Sequence, residues 1–155
     1  MSPIGRGYRS RYPLDTMGLL SDFFIATPDV AQVYEGSGLP PQDVCSVGGI
    51  TPLEVAAIVG ALRGVDDDVA IVDELESLRP EREEEWLMSL PHDMVDLLVA
   101  VEDARVPELS AKVAATVSEE GPVSDDTFEP MLGELVVLAQ RAKATGKGMY
   151  FWMSL

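Results

Sequence analysis

The apolar positions of this chain change period along its length, and each change predicts an element. "SDFFIAT" at 21–27 is aromatic and β-branched over one short run, the pattern of a strand. Thr27 then precedes Pro28, an N-cap residue before a proline suited to the first helical turn. The following "PDVAQVYEGS" reads as a helix, with Val30, Val33 and Tyr34 on its apolar face and Gly36 and Gly38 ending it. "GLPPQD" is a turn, and "VCSVGG" at 44–49 predicts a second short strand.

"TPLEVAAIVGALRG" at 51–64 carries the clearest local signal. Thr51 stands as N-cap, Pro52 at the first helical position and Glu54 three residues after the cap, the arrangement of a capping box. Leu53, Val55, Ala56, Val59 and Leu62 recur at near-helical spacing, and Gly64 is a C-terminal stop. Gly60 costs about 1 kcal/mol of helix propensity relative to alanine, so its presence suggests close packing against another element. "DDDVAIVDELESL" at 66–78 opens on three acids that suit a helix N-terminus. Val69, Val72, Leu75 and Leu78, with Ile71 beside them, predict a helix, and "VAIVD" as a buried strand is the competing reading.

Beyond the acids of "EREEE", Trp86, Leu87, Met88 and Leu90 predict a strand entering the core. "PHDMVDLLVAVEDA" at 91–104 is a helix with Met94, Leu97, Leu98 and Val101 as its stripe. "VPELSAKVAATVSEE" at 106–120 restarts helically, with Leu109, Val113, Ala114 and Val117 on one side. The longest helical stretch is 124–146. Phe128, Met131, Leu132, Leu135, Leu138 and Ala139 give it a wide apolar face, and Gly146 ends it. "MYFWMSL" closes the sequence. Alternation places Met149, Phe151, Met153 and Leu155 on one face and Tyr150, Trp152 and Ser154 on the other. Both faces are largely apolar, which favours a strand covered on both sides or central in a sheet. A partner-docking tail and a processed peptide are the alternatives.

These elements predict an α+β fold, a small sheet that includes the C-terminal strand and packs on about four or five helices. Residues 1–18, with Pro3, Gly5, Gly7 and Pro13 and little periodicity, read as an irregular arm, and 19–155 as one α+β domain. A chain of 155 residues is long enough for a core without staples. Cys45 is the single cysteine, so no intramolecular disulfide can form, and His92 is the single histidine, so a His-rich metal site is impossible. The sequence lacks an apolar run of membrane-spanning length and a secretory signal pattern, so the expected location is the cytoplasm.

The net charge of −16 is unevenly spread. Arg6, Arg9 and Arg11 lie near the start and Arg141, Lys143 and Lys147 near the end, so the middle is more acidic than the whole. Such a field repels nucleic acid and anionic membrane and attracts a basic protein, though acidity also simply keeps a protein soluble. The acids of 66–85 are the candidate partner-binding residues, namely Asp66, Asp67, Asp68, Glu81, Glu83, Glu84 and Glu85.

Catalytic and cofactor motifs are weak by comparison. Cys45 and His92 could form a nucleophile–base pair only if folding brought them together, and "VCSV" reads as a buried strand in which cysteine is a small hydrophobe. His92 and Asp96 share a helix face but fall short of the ligand set zinc requires. The acidic run lacks the alternating pattern of a calcium loop, and no GxxxxGK[ST] phosphate loop is present. No cofactor and no catalytic residue is assigned.

The segments "DFFIA", "GITPLEVAAIVGALRG", "VEDARVPELSAKVAAT" and "LAQRAKATGKGMYFWMSL" resemble a family of short, acidic, uncharacterised bacterial proteins, over about residues 20–155. The resemblance implies a compact α+β domain and no activity. The leading functional expectation is a small acidic protein-binding module of the immunity, inhibitor or accessory type acting on a basic partner. A related possibility is a nucleic-acid mimic. The alternative is a small-molecule-binding domain or enzyme with a pocket between sheet and helices.

Overall fold

The computed structural model describes residues 20–47, 50–65, 68–78, 85–117 and 128–154. The arm at 1–18 lies outside them. The elements run β1 (Leu20–Ala26), α1 (Pro28–Gln32), β2 (Val44–Ser46), α2 (Pro52–Arg63), α3 (Asp68–Glu74) and β3 (Glu76–Ser77). They continue with β4 (Glu85–Ser89), α4 (Asp93–Val99), α5 (Val106–Val117), α6 (Glu129–Thr145) and β5 (Gly148–Ser154). Short 3-10 turns at Pro41–Asp43 and Asp103–Arg105 lead into β2 and α5. The fold is α+β, as expected.

The strands form one antiparallel sheet in the order β2-β1-β5-β4-β3. The C-terminal strand therefore lies in the middle, with β1 on one side and β4 on the other. Its apolar residues on both faces are explained by what covers them. Met149, Phe151 and Met153, with Phe23 and Ile25 of β1, face a large core formed with α2, α3, α4, α5 and α6. Tyr150 and Trp152, with Phe24, Ala26 and Leu87, face a smaller core closed by Ala31 and Tyr34. Strand alternation thus delivers one set of aromatics to each layer.

Local chemistry sets the helix ends. A Glu54 carboxylate oxygen accepts from the Thr51 backbone N–H and from its hydroxyl, both at 2.6 Å, so the expected N-terminal box of α2 is present. Gly64 and Gly146 end α2 and α6 in left-handed backbone. A Cβ on Gly60 would sit 3.0 Å from the Val65 carbonyl and 3.4 Å from Ile71 Cδ1, so glycine lets α2 approach α3 closely. Arg63 fastens the same corner. Its guanidinium donates to both Glu74 oxygens at 2.7 and 2.9 Å and to both Asp93 oxygens at 2.9 and 2.8 Å, joining α2, α3 and the start of α4.

Several expectations need correction. The helix after Pro28 stops at Gln32, and Val30 and Val33 are exposed while Ala31 and Tyr34 are buried. With so few residues the end of α1 follows its contacts more than its period. Tyr34 stacks on Phe24 with centroids 4.1 Å apart and donates its hydroxyl to the buried Asp22 carboxylate at 2.7 Å. Within 66–78 the described residues Asp68–Glu74 are helical, as expected over the strand reading, but the helix ends at Glu74. Glu76 and Ser77 instead pair with Ser89 and Met88. On α2, Val55, Ala56 and Val59 are buried as expected, but Leu53 is exposed and Ala57 and Ile58 are buried too, so the buried surface is wider than the one read off the spacing.

Trp152 is 5% exposed, and its indole Nε1 has no hydrogen-bond partner among the described residues. Trp152→Ala should therefore lose roughly 3–5 kcal/mol in denaturant unfolding, the usual cost of deleting a buried aromatic. Trp152→Phe keeps most of the packing and gives up no hydrogen bond, so it should lose clearly less. Gly36 lies against the same ring with φ 92°, and a Cβ there would fall 2.7 Å from Trp152 Cη2. Gly36→Ala should lower stability by at least about 1–2 kcal/mol through left-handed backbone alone. A melting curve that matches the parent would refute that contact.

Candidate binding cleft at the sheet edge

Strand β2 is a terminal strand of the sheet among the described residues. The Pro41–Asp43 turn delivers the chain to it, and a buried charge cluster holds that turn in place. Asp43, almost fully buried, accepts from Arg141 Nε at 2.6 Å and from Lys147 Nζ at 3.1 Å. Arg141 stands in the last turns of α6, and Lys147 just beyond its Gly146 stop. Burial pushes the Asp43 carboxyl up, but the hydrogen bonds and charges of Arg141 and Lys147 outweigh it and hold its pKa below the usual carboxylate range. The basic residues that suit the C-terminal dipole of α6 thus also anchor the entry to β2.

A cleft of about 470 Å³ opens over this edge. Its walls include Tyr34 and Gly36 from the side of the smaller core, Val44, Cys45 and Ser46 of β2, and Glu134 of α6. Because α6 packs on the opposite face, the cleft wraps the edge of the sheet and touches both layers. A second cleft of about 800 Å³ adjoins it and shares Pro41, Val44, Cys45 and Glu134. Its far wall is the exposed side of α6, including Pro130 and Val137. Cys45 is buried, and its thiol donates to Glu134 Oε2 at 3.8 Å. Glu134 is the exposed carboxylate between the clefts.

The residues singled out from the sequence lie elsewhere. His92 is exposed just before α4, whereas Cys45 is buried on β2 with its thiol directed to Glu134. Asp96 instead accepts from Lys143 at 2.8 Å. Among the described residues, no three His, Cys, Asp or Glu side chains gather to hold a metal. Asp66, Asp67, Glu81, Glu83 and Glu84 lie outside the described residues. Asp68 heads α3, and Glu85 heads β4 at the end of the sheet, paired in register with Ser154. No described helix is long and apolar enough to cross a membrane. Sequence reasoning took β2 for a plain buried strand and missed Glu134, whose i-position on a helix gives no sign that it faces a strand 89 residues away.

The Asp43 cluster predicts an acid limb. Its folded pKa is depressed, so its contribution is present above the unfolded value near about 4 and is lost as pH falls toward and through the folded value. Asp43→Asn should cost roughly 1.5–3 kcal/mol near neutral pH, the range for a hydrogen bond to a charged group. The gap between parent and variant should narrow below about pH 4. Urea melts across pH 2–7 test this, and a gap independent of pH would reject it.

No protein-family model matches the chain, and neither a curated protein nor a solved structure matches it.

Proposed function

We propose that the protein is a small acidic binding module that acts on a basic protein, in the manner of an immunity protein, inhibitor or accessory factor. One observation carries this reading. Arg63, Arg105, Arg141, Lys143 and Lys147 are each held in ion pairs within the chain. Among the described residues Lys112 is the further cation, exposed on α5, while carboxylates such as Asp73, Glu102, Asp103, Glu129 and Glu134 are exposed, in keeping with the net charge of −16. A field of one sign accelerates encounter with an oppositely charged partner and disfavours nucleic acid. The run from Asp66 to Glu85 adds to that field and is the proposed steering footprint.

A second reading has the paired clefts in its favour, since about 470 and 800 Å³ lie in the size range of small-molecule sites. It expects a metabolite screen by thermal shift to yield a ligand whose binding depends on Glu134 and is indifferent to salt.

The acidic reading expects a different response. Changing Glu81, Glu83, Glu84 and Glu85 together to glutamine should slow association with a captured basic partner by about tenfold or more at low salt. Dissociation should hardly change, because rim charges act mainly on encounter. Raising salt to 0.15 M, where the screening length is about 8 Å, should bring parent and variant together. Equal stopped-flow association rates at low salt would sink the steering footprint.

A further inference from the structure

We propose that the outer edge of β2, terminal in the sheet among the described residues, accepts an extended segment of the basic partner as an additional strand, with Glu134 receiving a lysine or arginine of that segment. This rests on the acidic-module reading and gives it a docking site.

The hydrogen-bond phase of the sheet supplies the first argument. The Val47 N–H donates to the Ser21 carbonyl at 2.9 Å, and the same register sets Cys45 opposite Phe23. In an antiparallel pair, residues facing one another alternate between bonded and non-bonded positions. Val47 and Cys45 therefore bond inward to β1, while the main-chain groups of Val44 and Ser46 point away from it. The Val44 N–H is taken by the Pro41 carbonyl. The Ser46 N–H, the Ser46 carbonyl and the Val44 carbonyl remain directed outward, which is the donor–acceptor set an added strand requires.

The second argument is shape. The cleft runs over this edge and has walls from both layers, Tyr34 and Gly36 on one side and Glu134 on the other. A bound strand sends alternate side chains to opposite faces. One set would meet the carboxylate of Glu134 and the next the Tyr34 side of the cleft. The adjoining cleft beyond Glu134 offers Val137, which is 63% exposed, to an apolar side chain of the same segment.

The third argument is charge. Strand β2 reads Val-Cys-Ser, with neither the lysine nor the proline that guards many free edges. A second copy of the chain is disfavoured as occupant, because each copy carries −16 and presents the same Glu134. A basic segment meets the chain's net negative charge and the Glu134 carboxylate, while Arg141, on the wall of the adjoining cleft, is paired with Asp43.

The test uses the whole protein and random decapeptides displayed on phage. Selection at low salt should enrich peptides in which lysine or arginine alternates with β-branched residues. A synthetic copy of an enriched peptide should slow amide exchange at Ser46 by at least tenfold. Its affinity should fall at least fivefold in Glu134→Gln and be lost in Ser46→Pro. Should Ser46→Pro fail to fold, Ser46 exchange in the parent decides. Salt-sensitive binding of basic peptides with Ser46 exchange unchanged overturns the edge site and leaves the acidic-module reading standing. Enrichment of neutral or acidic peptides alone, or of none, overturns the proposal. Loss of salt-sensitive association with the captured partner is what removes the broader reading. A dimer in sedimentation that Ser46→Pro abolishes assigns the edge to a second copy and also overturns the proposal.

Discussion

The pairing of β1 with β5 is the contact on which the rest of the structure depends. Leu20 through Ala26 lie in unbroken antiparallel register with Ser154 through Gly148. This joins the two ends of the described chain at the centre of the sheet. It also creates both cores at once, because alternate residues of the two strands face opposite layers. Phe23 meets Phe151 with ring centroids 5.0 Å apart on one side, and Phe24 meets Tyr150 at 5.4 Å on the other. A one-residue slip would exchange the two sets and leave neither layer filled.

The layers differ in thickness, and the difference places the cleft. Five helices cover one face, whereas the other rests on the five-residue α1 and the segment after it. On the thin side, packing is set by rings rather than by helix faces. Tyr34 stacks on Phe24, and Trp152 meets Tyr34 edge-on at 5.8 Å, beneath Gly36. Close backbone approach at Gly36 takes the place of a second helical layer. Where this thin cover and α6 both reach the edge of β2, the surface stays concave.

Elements with strong local rules were legible in the sequence. The aromatic ending favoured a strand covered on both sides over a docking tail or a processed peptide, the Thr51–Glu54 pair marked the start of α2, and the Phe128–Ala139 face marked α6. Three features were not legible, each for a physical reason. Helix α1 is too short for periodicity to choose its face, so Val30 and Val33 read as core. Glu76 and Ser77 are recruited into a strand by β4, after a helical pattern that would carry through them. The cluster that holds the entry to β2 joins Asp43 to residues 98 and 104 positions away, a distance no local pattern spans. The acidic run was conspicuous, but its residues are mostly outside the described elements, while the cleft arises from a strand edge and a helix far apart in sequence.

A central strand that is made long after the strand it pairs with also constrains how the protein is made. Ribosomes deliver about 5–20 residues per second, so on the order of ten seconds separates the synthesis of β1 from that of β5. Through that interval Phe23, Phe24 and Ile25 have no partner strand on the β5 side, and α6 has no complete sheet to rest on. Helices α2 to α5, of 7 to 12 residues, are marginal on their own, and neither core can close until Gly148–Ser154 has left the exit tunnel. The nascent chain must therefore be kept from associating while an aromatic strand waits. Mutual repulsion between its many carboxylates would serve during synthesis a need that disappears once the sheet is complete.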